Sequence, residues 1–208
     1  MRRHLGAVFD LAYLALMTNV LLTVALLPML AALFSPVFLV FAPLVAPGLC
    51  AAFAVFAAHP GPVIGTFVSA WRSCFRRAVT LGAMATGALI VLGVDVRVAS
   101  GRPAGAVLIP VLAVLILLVV VATLLGLVAL AAQPGARVRD VVRIGTLSGV
   151  RRWYLTLPSL GVLVLFEALF AAHPVPALAL AASPLLYVVW ANSNYTLAPA
   201  FHPTGRNP

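Results

Sequence analysis

The sequence predicts an all-α polytopic membrane helix bundle, with about six transmembrane helices plus a cytoplasmic interfacial amphipathic helix, in a single integral membrane domain over residues 1–208. Three observations carry this expectation. The chain is 64% hydrophobic and only 8% charged, where soluble domains carry about 25% charged residues, and its mean hydropathy is +1.17. Its apolar residues gather into runs close to the roughly 20 residues that span a bilayer as a helix. The basic residues between those runs are all arginine, 13 of them with no lysine, and they fall mostly on one side of the expected topology.

Each run has chemically marked ends. Arg2 and Arg3 precede the first span, 11–34, whose apolar stretch exceeds the roughly 7 to 15 residues of a signal-peptide core and therefore reads as an uncleaved span. Phe34-Ser35-Pro36 separates it from the second, 36–58, which His59-Pro60-Gly61-Pro62 ends. The third, 78–94, and fourth, 106–132, are divided by Ser100-Gly101-Arg102-Pro103, and Gln133-Pro134-Gly135 ends the fourth. The fifth, 155–172, and sixth, 175–198, meet at His173-Pro174.

Short cytoplasmic loops carry the excess of positive charge in membrane proteins. With six spans, Arg2, Arg3, Arg72, Arg76, Arg77, Arg137, Arg139, Arg143, Arg151, Arg152 and Arg206 share one side, and only Arg97 and Arg102 take the other. That split places both termini in the cytoplasm. The chain's formal charge of +9 is thus spread between apolar runs, which excludes a compact nucleic-acid-binding domain and names anionic lipid headgroups as the expected partner.

The segment GPVIGTFVSAWRSCFRRAV, 61–79, is the expected interfacial helix. At 100° per residue, Ile64, Phe67, Val68, Trp71 and Phe75 form one stripe, while Thr66, Ser69, Arg72, Ser73, Arg76 and Arg77 take the other side. Such a helix lies with its apolar face in the acyl boundary and its arginines toward headgroups. It serves either as a plain anchor or as a docking surface for a partner. The second inner loop, 136–155, places Val138, Val141, Val142, Gly145 and Gly149 on one face, opposite Arg139, Arg143 and Thr146. Both loops end in an Arg-Arg pair, Arg76-Arg77 and Arg151-Arg152.

Inside the expected spans, Pro43 and Pro47, followed by Gly48, predict a kinked or broken second helix, because each proline frees the carbonyl four residues before it. Broken helices mark substrate sites in some transporters and serve packing in other membrane proteins. Glu167 is the acidic residue set within a span, about five residues from its outer end. It is either a functional carboxylate or one that reaches water. Asn19 in the first span and Asn192 and Asn194 in the last suit interhelical bonds or a polar path. Gly82, Ala83, Gly87 and Ala88 permit close helix approach in the third. Cys50 and Cys74 read as unreactive free thiols, and no phosphate loop, nucleophile elbow, carboxylate pair or histidine cluster is present. No cofactor, metal or enzymatic activity is expected.

Three segments resemble the YesL-like family of small bacterial membrane proteins, a domain of unknown function. They are TNVLLTVALLPML with Asn19 and Pro28, VAPGLCAAF, and TFVSAWRSCFRRAVTLG. The second departs from the family's Gly-Pro order by reading Pro47-Gly48. The resemblance implies a multi-pass protein of the bacterial cytoplasmic membrane, with an accessory role beside ABC permease subunits in carbohydrate uptake.

Overall fold

The computed structural model describes residues 2–30, 36–102, 105–151, 153–172 and 176–201, and contains no strand among them. The elements are α1 (Arg2–Leu30), a 3-10 segment (Pro36–Leu44) running into α2 (Val45–Ala57), α3 (Val63–Ala99), α4 (Gly105–Ala132), α5 (Val138–Arg151), α6 (Trp153–Ala172), and a π-helical turn (Ala177–Ala181) that leads into α7 (Ala182–Phe201). Four stretches among the described residues are long and apolar enough to cross a membrane: Phe9–Leu27, Val40–Ala57, Val63–Ala99 and Val107–Ala132. Many of their large apolar side chains face outward, among them Val24, Val40, Ile90, Val91, Val107 and Val114. Such exposure is tenable where hydrocarbon replaces water, so this is the make-up of a membrane protein.

Helix ends fall where the sequence places its breaks. α2 stops at Ala57 before His59-Pro60, α3 stops at Ala99 before Ser100-Gly101, and α4 stops at Ala132 before Gln133-Pro134. The turns at 31–35 and 173–175 lie outside the described residues. α6 covers residues 155–172, and the π turn with α7 covers residues 177–201; neither is among those four stretches of the described residues.

One expectation is corrected. Residues 63–79 do not form a separate helix lying across the ends of the bundle. They are the first half of α3, one unbroken helix of 37 residues, about 55 Å long at the α-helical rise. No proline or glycine pair interrupts it between Val63 and Ala99, and its first half runs lengthwise and antiparallel along α2, with Cys74 beside Cys50 and Gly82 beside Pro43. The expected break in the second apolar run is the step from 3-10 to α geometry after Pro43 and Leu44, with α2 beginning at Val45 and Pro47, which has no N–H, in its first turn. The Pro43 carbonyl faces Gly82 of α3.

Close approaches hold the bundle together. A Cβ added to Gly82 would stand 2.7 Å from the Pro43 carbonyl oxygen and 2.8 Å from Ala46 Cβ, so glycine is what lets α3 meet the helix step. Gly145 of α5 plays the same part against α4, 2.9 Å from the Ala122 oxygen by the same measure. At Gly126 three helices meet: an added Cβ would touch Leu81 of α3 at 3.1 Å and Val141 of α5 at 3.3 Å. Phe56 ties α2 to α7 through an edge-on contact with Tyr187, at 5.5 Å between centroids. Phe53, Leu125, Leu127 and Leu130 are fully enclosed at the centre.

Candidate functional site

The first half of α3 carries two apolar faces. The face packed on the bundle holds Val63, Phe67, Cys74, Ala78 and Leu81, all buried. It centres roughly 70° around the helix from the Ile64, Val68, Trp71, Phe75 stripe, with Phe67 shared by both. The stripe therefore flanks the packed face and stays partly open. Phe67, Trp71 and Phe75 form an aromatic ladder, 6.1 Å and 5.9 Å between successive ring centroids. Opposite stand Leu21, Val24 and Ala25 of α1 and Leu44 of the 3-10 segment, and the groove between them measures about 500 Å³, with Arg72 in its lining. Trp71 crosses the floor over Gly48, whose added Cβ would lie 3.5 Å from Trp71 Cζ3.

The two arginine-bearing segments converge. Arg77 lies one turn before Leu81, and Arg139 and Arg143 bracket Val141. Leu81 and Val141 meet at Gly126, so Arg76, Arg77 and Arg139 fall within roughly 5 Å of one another in height. Arg72, Arg76, Arg137, Arg139 and Arg143 are exposed and Arg77 is partly buried. Asp140 is exposed on the same helix as Arg139 and Arg143. Arg72 stands beside Leu44 and Ala25, at the depth of the second apolar run rather than beyond its end. Arg152 and the side chains of Arg151 and Glu167 lie outside the described residues.

Among the described residues, the polar residues expected within spans do not gather into one site. Asn19, 2% exposed, accepts a 2.6 Å hydrogen bond at Oδ1 from the Ser183 amide, where the π turn gives way to α7. Its own carbonyl accepts from Thr23 Oγ1 at 2.8 Å. Neighbouring Thr18 Oγ1 is buried without a hydrogen-bond partner. Asn192 lies nine residues beyond Ser183, about 13 Å along the helix, and donates through Nδ2 to Ser159 Oγ of α6 at 2.7 Å. A cleft of about 10 Å³ adjoins that bond, lined by Ser159, Asn192, Ser193 and Thr196, which is room for about one water. Asn194 faces outward. Pro43 and Gly48 are likewise occupied, by Gly82 and Trp71 respectively, so the helix step is packed shut.

Two juxtapositions have no sequence signal. The fully buried Cys50 and Cys74 thiols, 24 residues apart, meet across α2 and α3, and Cys74 Sγ also reaches the Leu130 carbonyl at 3.7 Å. The α1 wall of the groove is equally unannounced, since Leu21, Val24 and Ala25 look like any lipid-facing residues. Among the described residues no group of three or more His, Cys, Asp or Glu is placed to hold a metal ion. No family model, curated protein or solved structure matches the chain.

Proposed function

We propose that this chain is a non-enzymatic, six-span protein with both termini in the cytoplasm, acting as an accessory subunit beside a permease of a carbohydrate uptake system. The observation that carries the reading is the set of exposed arginines on α3 and α5, Arg72, Arg76, Arg139 and Arg143 with the partly buried Arg77, of which Arg76, Arg77 and Arg139 lie at similar heights. Arginines of this kind suit acidic side chains of a neighbouring subunit as well as lipid phosphates. A partner-facing role is favoured over independent transport because the helix step at Pro43 is filled by Gly82, and Asn19 is committed to Ser183. The solute class comes from the resemblance to YesL-like proteins.

The test is affinity capture of the tagged chain from native membranes, together with solute uptake after its deletion. Co-purifying permease subunits and lost sugar uptake are the expected results. A second reading, a sensory or scaffolding module with no substrate path, draws on the same closed packing. It requires uptake to survive deletion while partner assembly changes. Topology is checked separately with single cysteines in a chain whose Cys50 and Cys74 are replaced: positions 61 and 140 should label after permeabilisation, and position 101 from outside. External labelling at 140 overturns the orientation.

A further inference from the structure

We infer that the groove between α1 and α3 is a discrete binding site for one anionic phospholipid, with an acyl chain against the aromatic ladder and the phosphate on Arg72. The groove is apolar along its length, yet it is not closed by protein: Val24 is 60% exposed and Val68 39%. In a chain with the apolar surface of a membrane protein, the medium that reaches these side chains is hydrocarbon. From Phe67 to Phe75 the ladder runs about 12 Å by the helical rise, close to the roughly 15 Å depth of one leaflet's acyl region, half of the ~30 Å core.

Arg72 decides between a general lipid contact and a specific one. Arg72 belongs to the groove lining with Ala25 and Leu44, its side chain is exposed, and Arg76 is exposed one turn away. An arginine at the edge of an apolar groove favours a counter-charge or a route to water for its guanidinium. A lipid whose chain fills the groove brings its phosphate to the rim, where the planar fork of an arginine binds phosphate in two-point fashion. A zwitterionic lipid offers the same chain but sets a cationic headgroup beside Arg72 and Arg76 of α3. An acidic helix of another protein would match the charge but would have to enter a channel floored by Trp71 over Gly48, which suits one flexible chain better than a second helix.

The test uses Trp71 as the reporter. The full chain carrying Trp153→Phe and Trp190→Phe is reconstituted in vesicles that contain acyl-brominated lipid, either phosphatidylglycerol or phosphatidylcholine, at matched mole fraction. Trp71 emission should be quenched by both, with a roughly fivefold preference for the anionic lipid, the worth of about one arginine contact with an anionic headgroup. Arg72→Gln should bring that preference close to unity, and Arg97→Gln at the far end of α3 should leave it unchanged. Should the two phenylalanine changes disturb folding, the same quenching is read as the difference between the unsubstituted chain and Trp71→Phe. Equal quenching by the two lipids overturns the proposal, as does a preference that survives Arg72→Gln. Absence of quenching by either lipid overturns it too, because Trp71 would then be covered by a second copy or another protein.

Discussion

The two halves of α3 are built from similar apolar content and do opposite things. From Val63 to Gly82 the helix buries Phe67, Cys74, Ala78, Leu81 and Gly82 in the bundle and turns Arg72 and Arg76 outward. From Ala83 to Val98 no residue is buried, and Met84, Ile90, Val91, Val94 and Val98 are exposed. A helix that is apolar all round needs an apolar surrounding, whereas a two-faced one already has protein on one side. The difference teaches that the apolar content of a stretch locates a membrane helix without saying what covers it. The second half is left uncovered by the rest of the chain, and the first relies on helix contacts tight enough to require glycine.

A charge placed in each half is the most forceful way to break this comparison. Val91→Arg should cost about 3 kcal/mol of insertion free energy, visible as a reduced inserted fraction in glycosylation mapping. Ser69→Arg, on the exposed side of the first half, should leave insertion at the native level. Equal losses would show that both halves meet the same medium.

Glycine substitution sharpens the contrast at smaller amplitude. Gly82→Ala drives a Cβ into a backbone carbonyl at 2.7 Å and should destabilise the protein by about 2 kcal/mol through overpacking. Gly87→Ala, with nothing within 4 Å, should be neutral or stabilising by up to about 1 kcal/mol through helix propensity. Thermal unfolding in detergent reads both.

Polar joints elsewhere in the bundle should fall next in size. Asn19→Ala strands the Ser183 amide at a buried position and should cost about 1 to 2 kcal/mol, while Asn194→Ala, facing outward, should cost nothing measurable in the same assay. The smallest effect is expected for the paired change Arg76→Lys and Arg77→Lys, within about 0.5 kcal/mol in stability. Partner capture should persist in that variant where charge alone acts, and loss of capture would show that the guanidinium shape matters.

Hydropathy and punctuation alone determined that the chain is helical and membrane-type, and where its helices stop. Runs of apolar residues and breaks such as His59-Pro60 and Gln133-Pro134 act locally, through backbone hydrogen bonding that each segment must satisfy for itself. Sequence also showed that Val141 and Gly145 share a face opposite Arg139 and Arg143, since helical periodicity is a local property too. It could not show that residues 63–79 pack lengthwise on α2, because the same amphipathic stripe serves a helix lying in the interface and one set into a bundle. Only the tertiary structure decided that Cys74 rather than Trp71 marks the packed face, that Asn19 meets Ser183 across 164 residues, and that α1 completes the groove. The physical reason is that lipid tails and helix interiors are equally apolar, so no hydrophobic contrast tells a protein-facing residue from a lipid-facing one. Partner choice then rests on close packing and a few hydrogen bonds, which leave no period in the sequence.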